Sequence, residues 1–175
     1  MQVWTYPLQP QFVGSGTAYA SSTTLTDVSP APNITIPANF LQPGMTIKIK
    51  AAATFSNTST PTLLLGFYYG GVAGTALAAT SAVTTTTGAT NWPIAMEYVG
   101  RVRTVGSSGT IMGYGNVDIA TSLTALTHRP IPETALATVT IDTTANKAIT
   151  LGAQWGTSSS SNTLTCVHFE VTVDG

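Results

Sequence analysis

The sequence predicts an all-β protein: a jelly-roll β-sandwich of about eight to ten antiparallel strands behind an extended N-terminal arm. Three observations carry this. Apolar residues recur at every second position in several stretches, the spacing that puts alternate side chains on opposite faces of a strand. No segment longer than about ten residues keeps the 3.6-residue period of a helix. Clusters of glycine, proline, asparagine and serine punctuate the chain about every 8–15 residues, as short strands joined by turns require.

With 175 residues, the chain is long enough for one well-packed domain and short for two. Residues 1–20 read as the arm and 21–175 as the sandwich. Charged residues make up 7%, against a usual share of about 25%. The net charge is −1, so neither nucleic acid nor an anionic membrane surface is an expected partner. Hydrophobic residues at 43% exclude a disordered chain. The longest apolar runs, such as residues 63–69, fall far short of the roughly 18 residues that a membrane helix needs.

Solubility therefore rests on hydroxyls and amides, since roughly one residue in five is threonine. Threonine is β-branched and suits the outer face of a strand. So little net charge offers weak repulsion against self-association, which suits a protein built into a large assembly. The single cysteine, Cys166, excludes an intramolecular disulfide and a cysteine-built metal site. MQVWTYPLQPQF lacks the basic start and apolar core of a signal peptide, so synthesis in a cytoplasm without export is expected. The N-x-[ST] matches at Asn33 and Asn57 carry no weight in that setting.

In order along the chain, the arm comes first. Trp4, Tyr6, Leu8 and Phe12 alternate with Pro7 and Pro10, and proline holds its predecessor in extended backbone. Aromatic side chains on such an arm want burial, on the chain's own core or on a neighbouring subunit. Residues 21–28 form a polar edge strand and 33–37 a short one. Residues 38–41 make one helical turn before Pro43-Gly44. The cleanest alternation follows: Met45, Ile47, Ile49, Ala51, Ala53 and Phe55 face inward, with Lys48 and Lys50 outward.

Residues 63–69 are apolar on both faces and so belong in the middle of a sheet. The alanine- and threonine-rich stretch 72–88 has no clear register. A long hairpin spans 92–117. On its first strand Trp92, Ile94, Met96, Tyr98 and Val102 face inward, while Ala95, Glu97, Val99, Arg101 and Arg103 face outward. Gly106-Ser107-Ser108-Gly109 supplies the turn, because glycine accepts the positive φ that tight reversals need. Residues 119–134 read as a long connection containing His128-Arg129-Pro130-Ile131-Pro132-Glu133. Both long connections favour crossings between sheets. Three strands close the chain, with Ala137, Val139 and Ile141, then Ile149, Leu151, Ala153 and Trp155, then Val167, Phe169, Val171 and Val173 facing inward.

Little in this chain looks like chemistry, and no catalytic, metal-binding or cofactor-binding residues are assigned. The seven carboxylates include no two spaced as neighbours on one strand face, so a glycosidase pair would have to meet across sheets. His128 and His168 are far apart and form no zinc-binding pattern. His168 shares a strand face with Cys166 and Glu170, which reads as a half-buried sheet histidine, not an activated Cys–His pair. The Gly106–Gly109 turn has neither the G-x-S-x-G of a nucleophile elbow nor the helix and lysine of a phosphate loop. Arg101 and Arg103 form a small basic strip that nearby carboxylates such as Glu97 would balance. Nucleic-acid binding would need more basic charge and exposed stacking aromatics. The rigid Arg129–Glu133 segment joins Arg129, Ile131 and a carboxylate, a mixture common in contact surfaces.

Three stretches carry a resemblance. They are ITIPANFLQPGMTIKIKAAATFSNTSTPTLLLGFYYGG (residues 34–71), NWPIAMEYVGRVRTVGSSGTIMGYGNV (91–117) and IDTTANKAITLGAQWGTSSSSNTLTCVHFEVTV (141–173). The I-P-A-N-F-L opening, the tryptophan-led strand running into V-R-T-V-G-S-S-G-T, and the closing W…S-x-S-N-T-L-T strand pair resemble tailed-bacteriophage virion proteins with a single jelly-roll domain. The resemblance covers most of the chain after about residue 33 and concerns strands and turns; it carries over no catalytic residue. It implies a structural virion protein, not an enzyme: a capsid decoration (cement) protein on the outer capsid surface, forming a homotrimer and bound to the major capsid protein or another virion protein. The alternative is a receptor- or carbohydrate-binding head of a tail fibre or minor tail protein, with loops 84–91 and 157–162 as its contact sites. The expected contact residues are Trp4, Tyr6, Phe12, Arg101, Arg103, Arg129 and Ile131.

Overall fold

The structure, a computed structural model, describes residues 15–175 and the backbone of Thr5–Pro7. The described residues form fourteen strands and no helix. Eight of these strands have five residues or more, and the other six have two or three.

All pairings are antiparallel, in two sheets packed face to face. The larger, eight-stranded sheet runs β1 (Thr5–Pro7), β14 (Thr163–Asp174), β5 (Thr46–Ser56), β9 (Trp92–Thr104), β10 (Gly109–Ser122) and β11 (Ala125–Ile131). In the same sheet, β2 (Tyr19–Ala20) also pairs with β14, and β12 (Val139–Ile141) also pairs with β10. The smaller sheet runs β3 (Thr26–Asp27), β13 (Lys147–Trp155), β6 (Thr62–Tyr69) and β7 (Thr75–Ala79). There β4 (Ile34–Ile36) also lies on β13, and β8 (Val83–Thr84) on β6.

The pairs nest. β6 joins β7, β5 joins β9, β3 and β4 join β13, and β1 and β2 join β14. A chain folded in half near the β6–β7 turn and then rolled up produces this order, which is that of a jelly roll. The strands β10 to β12 extend its larger sheet on one side. Two segments of the expected arm, β1 and β2, lie along β14 of their own chain. Trp4 and Phe12 lie outside the described residues.

Strict alternation sets the faces. On β5, Ile47, Ile49, Ala51, Ala53 and Phe55 are buried, and on β9, Ile94, Met96, Tyr98 and Val102. They meet Leu63, Leu65 and Phe67 of β6 and Leu151 and Trp155 of β13 in one core. β6 sits between β13 and the β7–β8 pair and is buried along most of its length, as its two-sided apolar pattern predicts. Burying a side chain of this size contributes roughly 1.5–3 kcal/mol. Gly106, at φ 118°, turns the chain between β9 and β10. A residue with a Cβ would be strained there.

Several expectations are corrected. Residues 119–134 are no long connection: β10 continues to Ser122 and turns directly into β11. Strand β11 shows no apolar alternation, because its pattern puts only Ile131 fully inside. The stretch 38–41 is a single turn, closed by Phe40 N–H donating to Pro37 O at 3.2 Å, with Asn39 at φ 58°. Ala137 is exposed, because inward alternation begins only on β12. Val167 is also exposed, for the reason given next.

Candidate functional site: the outer face of the larger sheet

A β-bulge on β14 separates the residues that sequence parity groups together. Opposite β5, Cys166 faces Ala53 and His168 faces Ala52, so Val167 is the extra residue. Such an insertion reverses the parity of everything beyond it. Cys166 consequently points into the core, His168 and Glu170 point out, and Phe169, Val171 and Val173 continue the buried face. No Cys–His pair forms. Burial pushes the Cys166 thiol up to about 11.

Most of the chain's charge gathers on the outer face of this sheet. In register across the strands lie Glu170, Lys50, Glu97, Asn116 and Pro130, and next to them Thr172, Lys48, Val99 and Tyr114. The following row holds Asp174, Thr46, Arg101 and Met112. Lys48 pairs with Asp174 at 2.5 Å, Lys50 with Glu97 at 3.6 Å, His128 with Asp118 at 2.7 Å and His168 with Glu170 at 3.7 Å. Exposed pairs of this kind contribute about 0–1 kcal/mol each. Glu97 thus balances a lysine of β5 and not the neighbouring arginines. Among the described residues neither Arg101 nor Arg103 ends on a carboxylate; Arg103 reaches the Met112 sulfur at 3.7 Å.

Between and beside these charges the surface is apolar. Val99 and Tyr114 face each other across β9 and β10, and Tyr114 is 65% exposed. At the β10–β11 turn Leu123 is 79% exposed, with Leu126 at 60% close by. A hollow of about 370 Å³ lies there between Pro93, Ala95, Ala120 and these leucines. β11 covers residues 115–122 of β10 and β12 covers 109–111, so on that side of β10 no strand among the described residues lies beside residues 112–114. A groove of about 700 Å³ opens at that gap, lined by Tyr114, Pro130, Pro132 and Leu136.

The groove's floor is clasped to the other sheet. Ser81, just after β7, donates its N–H at 3.0 Å and its hydroxyl to the Glu133 carboxylate, which also accepts from Arg129 at 3.3 Å. Burial pushes the Glu133 carboxyl upward, but the Ser81 hydrogen bonds and the Arg129 charge outweigh it and hold it below its usual range. Arg129 therefore serves the clasp. Ile131, expected on a contact surface, belongs instead to the core and is 1% exposed.

Each of the two loops named as glycan contacts buries one polar side chain, Thr85 and Asn162, while Thr84, Thr87, Thr90, Asn91, Thr157, Ser158 and Ser160 are exposed. Asn57 donates from Nδ2 to the Thr85 hydroxyl at 2.8 Å, and Thr85 donates to Pro61 O at 2.7 Å. Asn162 is buried and donates to Thr157 O at 2.9 Å. Trp92 is half-buried, edge-on to Phe55 with centroids 6.3 Å apart. Among the described residues no group of three or more His, Cys, Asp or Glu side chains is placed to hold a metal ion.

Tyr114, Leu123 and Leu126 are the surface residues that sequence reasoning passed over. Tyr114 carried a signal, an aromatic ring at an outward position of a strand whose Ile111 and Val117 face in. The leucines carried none while their hairpin read as a loop. No protein-family model and no curated protein matches this chain.

Proposed function

We propose that this chain is a structural virion protein, a decoration protein that binds the outer capsid surface through the major capsid protein or another virion protein. The observation that carries the reading is the apolar surface at one side of the larger sheet: Tyr114, Leu123, Leu126 and Leu136 are all more than half exposed. Large apolar side chains exposed at two places, Tyr114 with Leu136 at one groove and Leu123 with Leu126 at one hollow, favour docking over free circulation on a chain of low charge. The sandwich beneath them encloses one core of buried apolar residues. The resemblance of its strand and turn residues to phage virion proteins supplies the setting. Copies of the chain associate with one another, and Trp4, Tyr6 and Phe12 add contacts to neighbouring subunits.

The test begins with particles of the virus that encodes the chain. Mass spectrometry of purified particles should find the protein, and single-particle images should place it on the shell. A Leu123→Ser, Leu126→Ser variant should leave folding intact and lower particle occupancy at least tenfold. Particles that lack the protein altogether would end this reading. Binding to host cells or glycan arrays, with none to capsids, would favour the tail-head alternative.

A further inference from the structure

The outer face of β9 is self-complementary in charge. Val99 lies at its centre, beside Tyr114, with Glu97 two residues before it and Arg101 two residues after it. Further out, Ala95 lies beside Asp118 on one side, and Arg103 extends the basic end on the other. Acidic groups therefore occupy one end of the strand, and arginines that meet no carboxylate among the described residues occupy the other, at matching distances from an exposed apolar centre. Turning such a face over onto itself, with strands antiparallel, brings unlike charges together twice.

We propose that this face is covered in solution by the same face of a second copy, related by a two-fold axis at Val99 and Tyr114, so that Arg101 of each copy lies over Glu97 of the other. Arg103 then reaches the Asp118 of the partner copy. Tyr114 and Val99 of both copies form the apolar centre. Residue i meeting residue j and j meeting i is what a two-fold contact requires. Four strands about 4.8 Å apart, over the length of β9 at about 3.4 Å per residue, give a face of about 20 Å by 40 Å. That matches the roughly 800 Å² per partner of a standard interface.

The other charges on this face sit off the centre. Lys50 and His128 already hold Glu97 and Asp118 within their own chain and face the same partner arginines. Lys48 falls in the row of Val99 and meets its own copy at the rim, where Asp174 takes up its charge. The contact belongs to the free protein, whether or not that protein decorates a particle. Its two-fold symmetry also differs from the three-fold assembly that the resemblance implies.

Light scattering and sedimentation on the purified chain test it. The wild type should be a dimer at tens of micromolar. Arg101→Glu and Glu97→Arg should each weaken association about tenfold or more, because each places like charges together twice. An equimolar mixture of the two variants should dimerise again, as should the double variant E97R/R101E. Circular dichroism confirms that each variant is folded. A monomeric or trimeric wild type overturns the proposal. So does an R101E variant that associates like the wild type, or a mixture that fails to recover.

Discussion

A Cβ placed on Gly113 would lie 2.6 Å from the ring carbon Cζ of Tyr98, so the glycine on β10 leaves room for the tyrosine on β9. Gly113 pairs with Gly100 across the two strands, and the Tyr98 ring lies over both. The ring covers backbone that two glycines would leave bare, much as aromatic side chains do over glycines in other sheets. The tyrosine's hydroxyl ends in the core without a hydrogen-bond partner among the described residues, and burial pushes its pKa far up.

Two substitutions follow from that geometry. Gly113→Ala should cost about 1–3 kcal/mol by overpacking. Tyr98→Phe should be neutral or stabilise by about 1 kcal/mol, since it removes a desolvated and unpaired hydroxyl. Urea unfolding of both variants measures this. A loss of stability in Tyr98→Phe would show that the hydroxyl has a partner.

The Glu133 clasp predicts a pH dependence. Its folded-state pKa lies below the ordinary 4.5, so the unfolded chain binds this proton more readily. The resulting stability is full above the unfolded value and fades as pH falls through the folded one. Wild-type protein should lose stability in that acid range, and Glu133→Gln should flatten the loss. Equal acid slopes in the two proteins, by thermal melts from neutral pH down to about 3, would exclude the clasp as the source.

Cys166 should be inert. With the thiol buried and raised to about 11, a thiol reagent at pH 8 should leave the folded protein unmodified and label it fully in denaturant. His168→Ala should leave this protection unchanged, because the bulge puts the imidazole on the opposite face. Faster labelling in that variant would restore a Cys–His relationship.

At the β6–β8 end of the sandwich, Asn57 and Thr85 form a buried pair. Thr85→Val leaves the Asn57 amide short of its acceptor and should cost about 1–3 kcal/mol. Thr85→Ser keeps the hydroxyl and should cost much less. Chemical denaturation distinguishes them, and a Thr85→Val variant as stable as the wild type would show that the hydroxyl's hydrogen bonds contribute nothing.

Strands with a wet and a dry face were readable from sequence, which is why β5 and β9 appear where Ile47–Phe55 and Ile94–Val102 place them. The two-sided burial of β6 was readable for the same reason. Strand β11 was hidden because an edge strand buries only its last residue, Ile131, and Pro130 within it and Pro132 just after it imitate a loop. The bulge at Val167 left a trace: Leu164 and Cys166 share one parity, while Phe169, Val171 and Val173 share the other. A single break in parity marks an inserted residue, and reading all of these as one register placed Val167 inside. The outer face was partly legible through Arg101 and Arg103. Its apolar half depended on pairing β10 with β11, which no local pattern specifies.

The nesting of strands sets the order in which the molecule can be completed. β13 lies between β3/β4 and β6, and β14 lies between β1/β2 and β5. Every neighbour of these two strands leaves the ribosome before they do. Neither sheet is continuous until residues 147–174 have emerged, and until then β5 and β6 each present an open edge to the cell. Pairing across such sequence distances is slow, typically milliseconds to seconds. A nascent chain of this design must stay unaggregated on its hydroxyl-rich surface until β13 and β14 close the gap.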